Sequence, residues 1–175
     1  MRHISTLYSF SRWDVDSQWQ DEIEGAGFTP KNRIVWVKAN HGSGDLEGAF
    51  GFAHETIWRA VKGRPLLRCK RGGDVWRDAW TECVRHGKEH PFEKPVDLLE
   101  RCVVADSDQG DTVLDCFMGS GSTGCAAIRL GRKFIGCEID PKHFATAVRR
   151  IKAELNRHPL LEPAPKIVQR ELITI

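Results

Sequence analysis

The stretch Asp111-Thr-Val-Leu-Asp-Cys-Phe-Met-Gly-Ser-Gly-Ser-Thr-Gly124, with Lys133-Phe-Ile-Gly-Cys-Glu-Ile-Asp140 close behind it, decides the fold. Thr112-Val113-Leu114 is a short apolar, β-branched run that ends at Asp115. Gly119, Gly121 and Gly124 then interrupt the chain before Cys125 to Leu130, a helix-compatible segment. The pattern predicts a strand, a tight glycine turn and a helix. Such a turn brings bare backbone close to a ligand at the carboxyl end of a parallel strand, where open α/β sheets hold their ligands. The run Phe134 to Cys137 predicts a second strand with Glu138 at its tip, so two carboxylates are expected side by side. A carboxylate in that position accepts hydrogen bonds from ribose hydroxyls.

Gly119-x-Gly121-x-x-Gly124 also satisfies the dinucleotide fingerprint, which keeps a nucleotide-binding oxidoreductase as one alternative. Asp115 at the strand tip and Phe117 two residues before the turn point elsewhere. Asp-x-Phe-x-Gly-Ser-Gly-Ser-Thr resembles the S-adenosylmethionine loop of the amino-group (adenine-N6 or cytosine-N4) DNA methyltransferases, whose usual form has proline where Cys116 stands. The resemblance implies that Asp115 and the glycine loop surround the methionine end of the cofactor, that Phe117 packs near it and that Glu138 holds the ribose. It makes Asp115, Phe117, Gly119, Ser120, Gly121, Thr123 and Glu138 candidate cofactor residues.

Upstream, Thr6 to Phe10 predicts a strand, and Asp14 to Ala26 an amphipathic helix with Val15, Trp19 and Ile23 on one face, ended by Gly25 and Gly27. Arg33 to Lys38 predicts a strand and Ala39 to Gly51 a polar, glycine-rich loop. His54 to Gly63 reads best as a strand, with helix as the alternative. The order of Trp36-x-Lys38, His54-Glu55 with its apolar run to Lys62-Gly63, and Asp74-Val-Trp76 is similar to the same family. His90-Pro-Phe-Glu-Lys-Pro95, ahead of a predicted helix from Val96 to Ala105, resembles the family's H-P-x-x-K-P segment, whose lysine and proline lie over the cofactor. That adds Lys94 and Pro95 to the candidates, although proline at a helix start also has a purely geometric reason. Asp140-Pro141 caps a last helix with Phe144, Val148 and Ile151 on its apolar face and Arg149-Arg150 on its exposed one. Lys166 to Ile175 is expected to add an edge strand.

The resemblance implies an α/β fold with a Rossmann-like, S-adenosylmethionine-dependent methyltransferase sheet, mostly parallel. It implies one domain over residues 1–158, with post-catalytic strands and DNA-facing loops in 1–85, the cofactor half in 86–158 and a tail in 159–175. In this permuted order the catalytic segment, an Asp, Asn or Ser followed by Pro-Pro and an aromatic residue, precedes the cofactor loop. It stacks a flipped-out base and orients its exocyclic amine toward the methyl group. The eight prolines, Pro30, Pro65, Pro91, Pro95, Pro141, Pro159, Pro163 and Pro165, include no adjacent pair, so the 175 residues lack that tetrapeptide and no catalytic residue is assigned. In the family's sheet the catalytic strand lies between the cofactor strand and the strand read at Thr6 to Phe10. Its absence is expected to leave a gap in the sheet, each buried unpaired backbone group costing about 1 to 3 kcal/mol. The expectation is that the halves close directly, that another chain fills the gap, or that this is a truncated gene product; a second chain would be a separately encoded catalytic segment or a homodimer partner. The implied function is methyl transfer from S-adenosylmethionine to an exocyclic amine of adenine or cytosine in double-stranded DNA, by a chain inactive alone. The alternative is a non-catalytic subunit that binds S-adenosylmethionine or DNA.

Composition adds little to this. A net charge of +2 and a pI of about 8.2 do not by themselves announce a nucleic-acid binder. A local window is more basic: Lys62, Arg64, Arg68, Lys70, Arg71, Arg77 and Arg85 occur with only Asp74, Asp78 and Glu82 as acids. It suits either phosphate contacts or a solvated face. The six cysteines show no C-x-x-C spacing, so neither a zinc site nor a disulfide framework is expected, and Cys102, Cys125 and Cys137 read as small core residues. No apolar run approaches the roughly 18 residues that span a membrane, and no signal-peptide pattern opens the chain, so a cytoplasmic location is expected.

Overall fold

The computed structural model describes residues 4–38, 47–77 and 93–157. Parts of four readings lie outside them: residues 39–46 of the polar loop, Asp78, Glu82 and Arg85 of the basic window, His90 to Phe92, and the tail. The chain divides into two compact units. The first contains β1 (Ser5–Ser11), a 3-10 turn (Trp13–Val15), α1 (Asp16–Gly25), β2 (Thr29–Val37), β3 (His54–Lys62), β4 (Val75–Trp76) and α2 (Val96–Asp106). The second contains β5 (Thr112–Asp115), α3 (Ser122–Arg129), β6 (Lys133–Gly136) and α4 (Pro141–Arg157).

In the first unit the strand order is β1-β3-β2-β4. β3 pairs antiparallel with both β1 and β2, and β4 runs parallel to β2. β3 is covered on both faces, which removes the polar alternation of a half-buried strand and explains why its sequence left helix open. On one face Ile57 packs with Ile34, Trp36 and Trp76 against Leu98 and Cys102 of α2. On the other, Trp58 and Ala60 pack with Ile23 of α1. Pro30, which has no N–H to give to a ladder, stands where the β2–β3 register shifts. α1 ends as Gly25 and Gly27 suggest: Gly27, at φ +78°, and Phe28 donate to the carbonyls of Glu24 and Ile23, closing the last turn. Its apolar face is narrower than expected, because Trp19 is 40% exposed and only Ile23 is buried.

Buried charge in this unit is spent on side chains. Asp16 accepts from Ser11 Oγ at 2.6 Å and Trp58 Nε1 at 2.8 Å, and pairs with Arg33 at 3.0 Å. Asp106, at the end of α2, takes both arms of the Arg59 fork, at 2.8 and 2.5 Å, and accepts from the Tyr8 hydroxyl. That network ties the α2 end to β1 and β3.

In the second unit β5 and β6 form a parallel pair, Leu114 opposite Ile135 and Asp115 opposite Gly136. α3 is lined with small residues and packs closely on α4. A Cβ on Gly124 would come within 2.4 Å of Ile151 and 2.8 Å of Phe134, so only glycine allows that approach. Asp140 Oδ1 accepts from the backbone of Lys142 and His143, capping α4 as its sequence predicts. Parallel pairing thus governs the second unit, whereas the sheet of the first is mixed. β1 and β5 each stand at an edge of their own sheet. No helix among the described residues is long and apolar enough to cross a membrane.

Candidate cofactor site

The site is the turn between β5 and α3. Gly119 and Gly121 sit at φ +52° and +83°, left-handed values that residues with a Cβ avoid. Their surroundings differ. A Cβ on Gly121 would meet Ala147 Cβ of α4 at 2.8 Å, whereas one on Gly119 would have nothing within 4 Å. Gly121 therefore seats the turn on the helix behind it, and Gly119 offers bare backbone to open space.

Both strand-tip carboxylates grip this turn. Asp115 Oδ1 accepts from the Phe117 amide at 3.0 Å and Oδ2 from the Thr123 hydroxyl at 2.6 Å. Glu138 Oε2 accepts from the Gly119 amide and Oε1 from the Asp140 amide, each at 2.9 Å. The ladder continues into the turn, with Cys137 N donating to Asp115 O and Met118 N to Cys137 O. Two carboxylates from adjacent strands thus converge on the stretch Phe117 to Thr123. Each oxygen accepts one protein bond in these contacts and has lone-pair capacity for a second, so both groups can hold the turn and still receive hydroxyl or ammonium donors.

Apolar groups flank the turn. Phe117 and Ile139 are each 90% exposed, unusual for large hydrophobic side chains beside a well-packed interior. Ser120 is the exception among the predicted residues: it is buried, and its hydroxyl accepts from Arg150 of α4 at 2.8 Å. Its side chain anchors the turn from behind. Arg150, expected on the exposed face of its helix, is instead turned inward, at 16% side-chain exposure. Cys102 and Cys125 are core residues as read from the sequence, but Cys137, at the end of the exposed β6 face, is not.

Asp115, Phe117, Gly119, Ser120, Gly121, Thr123 and Glu138 are therefore brought together in the second unit. Lys94 and Pro95 belong to the first. There Lys94 Nζ and Lys38 Nζ share Glu55, each at 2.5 Å from one of its oxygens, and Lys94 also lies 5.0 Å from the Phe10 ring centre and 5.6 Å from that of Trp36. Burial works against ionisation of Glu55, but the two ammonium partners outweigh it and hold its carboxyl below the ordinary value. Pro95 is fully buried at the start of α2. Sequence reasoning missed Ile139, Arg150 and Glu55. For Ile139 a signal existed, an apolar residue directly after an acidic strand tip, and Glu55 stood in the quoted His54-Glu55 pair without a role; for Arg150, whose partners are distant in sequence, there was none.

Comparison with known proteins shows the family. Residues 17–149 match the DNA methylase family of N6 and N4 methyltransferases. The type II methyltransferase M2.DpnII of Streptococcus pneumoniae is 36% identical over 146 residues, covering 75% of this chain and 54% of its own length. The DNA adenine methyltransferase YhdJ of Escherichia coli (strain K12) is 33% identical over 175 residues, covering 82% and 59%. This chain thus spans only about half the length of these relatives. The crystal structure of M1.HpyAVI in complex with SAM superposes with a TM-score of 0.72 at 29% identity, over 83% of this chain and 74% of that one. The cytosine-N4-specific PvuII DNA methyltransferase, at 20% identity, shares the fold with a TM-score of 0.69, over 90% of this chain and 71% of that one. With well over half of its residues inside the family match, the chain belongs to the N6 and N4 DNA methylases.

Proposed function

We propose that this chain is the cofactor-binding part of a DNA amino-methyltransferase, holding S-adenosylmethionine on the β5–α3 turn. The observation that carries the reading is the pair of carboxylates, Asp115 and Glu138, bonded to a glycine turn whose Gly119 faces open space, with Phe117 and Ile139 exposed close by in the sequence. Glu138 would accept the ribose hydroxyls with its remaining lone pairs. Asp115, with Thr123 and the backbone of Gly119 to Gly121, would hold the methionine end, and Phe117 and Ile139 would cover apolar parts of the ligand. Lys94 and Pro95 join this set on the strength of the sequence resemblance. When bound, the cofactor supplies an electrophilic methyl group on a sulfonium. The SAM complex named among the structural relatives supports the choice of ligand.

The acceptor in this reading is the exocyclic amine of adenine or cytosine in double-stranded DNA, in keeping with the N6 and N4 methylase family and with the DNA adenine methyltransferase among the relatives. Lys62, Arg64, Lys70 and Arg71 would meet phosphates; Arg68 is paired with Asp108 at 2.8 Å. The 175 residues hold no Pro-Pro-aromatic segment to stack and orient the base, so turnover requires that segment from elsewhere, on a partner chain or on further sequence of the same polypeptide. The same absence favours a second reading, a non-catalytic subunit that binds S-adenosylmethionine or DNA beside an active enzyme.

Calorimetry with S-adenosylmethionine and with NAD tests the pocket: heat with the first alone is expected, and heat with NAD alone would remove the assignment. A methyl-transfer assay on duplex DNA is expected to give no product with the chain alone. The DNA upstream of the Met1 codon separates the two readings further. An in-frame Asp-Pro-Pro-Tyr or Ser-Pro-Pro-Tyr favours the enzyme and also suggests the target base.

A further inference from the structure

A turn with two glycines at positive φ has more alternative conformations than almost any other stretch of chain, so its shape must be imposed from outside. One face of α4 supplies that template. Ala147 abuts Gly121, Ile151 abuts Gly124, and Arg150, between them on the same face, reaches Ser120. Arg150 Nη1 donates to the Ser120 carbonyl at 2.9 Å and to its hydroxyl at 2.8 Å, with Ser122 Oγ at 3.4 Å. Nη2 donates to Glu93 Oε1 at 2.7 Å, and the Glu93 side chain is 8% exposed. The rigid fork thus spans two partners that an ammonium could not hold together in the same geometry.

We propose that Arg150 is a positioning residue: it touches no ligand, but it fixes the Ser120 carbonyl and so holds the turn in its ligand-ready form, with Glu93 keeping the guanidinium aimed. The proposal deepens the S-adenosylmethionine reading and rests on it for its ligand.

The test uses the full chain and the variants Arg150→Ala, Arg150→Lys and Glu93→Gln, with two readouts: S-adenosylmethionine affinity by calorimetry, and amide hydrogen exchange of peptides covering the turn and, separately, β1 to β3. Arg150→Ala is expected to weaken binding at least tenfold and to raise exchange at Phe117 to Ser122, with the β1 to β3 peptides unchanged. Arg150→Lys is expected to recover part of the protection, and Glu93→Gln to shift both readouts the same way but less. Unchanged exchange at the turn in Arg150→Ala would overturn the proposal. So would a rise shared equally by β1 to β3, since that is general destabilisation. Should the unmodified chain bind no S-adenosylmethionine, the ligand assignment fails, and exchange of the free protein still decides the role of Arg150.

Discussion

Two groups of carboxylates do different work, one in each unit. In the first, Asp16, Asp106 and Glu55 are matched by cations and side-chain donors, and Asp16 and Asp106 are sealed among them. In the second, Asp115 and Glu138 bond mainly to backbone amides of a turn and keep acceptor capacity on the side away from it. Trp58, which donates to Asp16, and Trp36, beside the two lysines on Glu55, are buried, whereas Phe117 and Ile139 beside the second group stand in solvent. A buried, fully matched carboxylate maintains architecture. A carboxylate that shapes bare backbone next to uncovered apolar surface prepares a place for something else.

Breaking a member of the first group should therefore cost stability, and breaking one of the second should cost binding. Asp106→Ala strands the Arg59 guanidinium in the interior and is expected to lower stability by about 3 to 5 kcal/mol in urea unfolding. A loss under about 1 kcal/mol, the worth of an exposed pair, would mean that this network is solvated. Glu138→Gln keeps the size of the side chain but turns an NH2 group toward one of two backbone N–H donors. With a charge-assisted bond worth about 1.5 to 3 kcal/mol, S-adenosylmethionine should bind about 10- to 100-fold more weakly, while the urea midpoint moves little. The reverse pattern would return Glu138 to the architectural class.

Much of this contrast was legible in the sequence, for a physical reason. The turn is specified by local chemistry: an apolar run, an acidic tip and glycines at positions where φ or close packing excludes a Cβ, all within 14 residues of chain. Helix ends such as Gly27 and Asp140 are local in the same way. The long-range partners were not legible. Arg150 and Glu93 lie 57 residues apart and Arg59 and Asp106 47, and a charged residue on a helix is read as solvent-facing unless its partner is known. The mixed order of the first sheet was hidden for a related reason, because burial on both faces of β3 erases the alternation that marks a strand as edge or centre.

The two glycines sharpen the comparison within the turn itself. Gly119→Ala meets open space, so its cost is the left-handed backbone alone, about 1 to 2 kcal/mol. Gly121→Ala carries the same backbone term and also drives a methyl into Ala147, so its unfolding midpoint should fall further. Equal losses would show that α4 yields at Ala147 and does not template the turn.

The smallest expected effect asks whether the two interiors are equally dry. Burial pushes the Cys102 thiol up to about 12 and the Cys125 thiol up to about 11, against 9.0 for the free group. Both values are raised, so the folded chain retains protons that the unfolded chain loses. The associated stability is complete below about pH 9 and drains away as pH rises toward 11 and 12. Between pH 8 and pH 10 each thiol should account for a loss of about 1 kcal/mol. Cys102→Ala and Cys125→Ala should each flatten the alkaline fall in unfolding free energy by that amount, whatever they cost at neutral pH. If only Cys102→Ala does so, water reaches Cys125 behind the glycine turn, and the openness argued for the front of the second unit extends into its core.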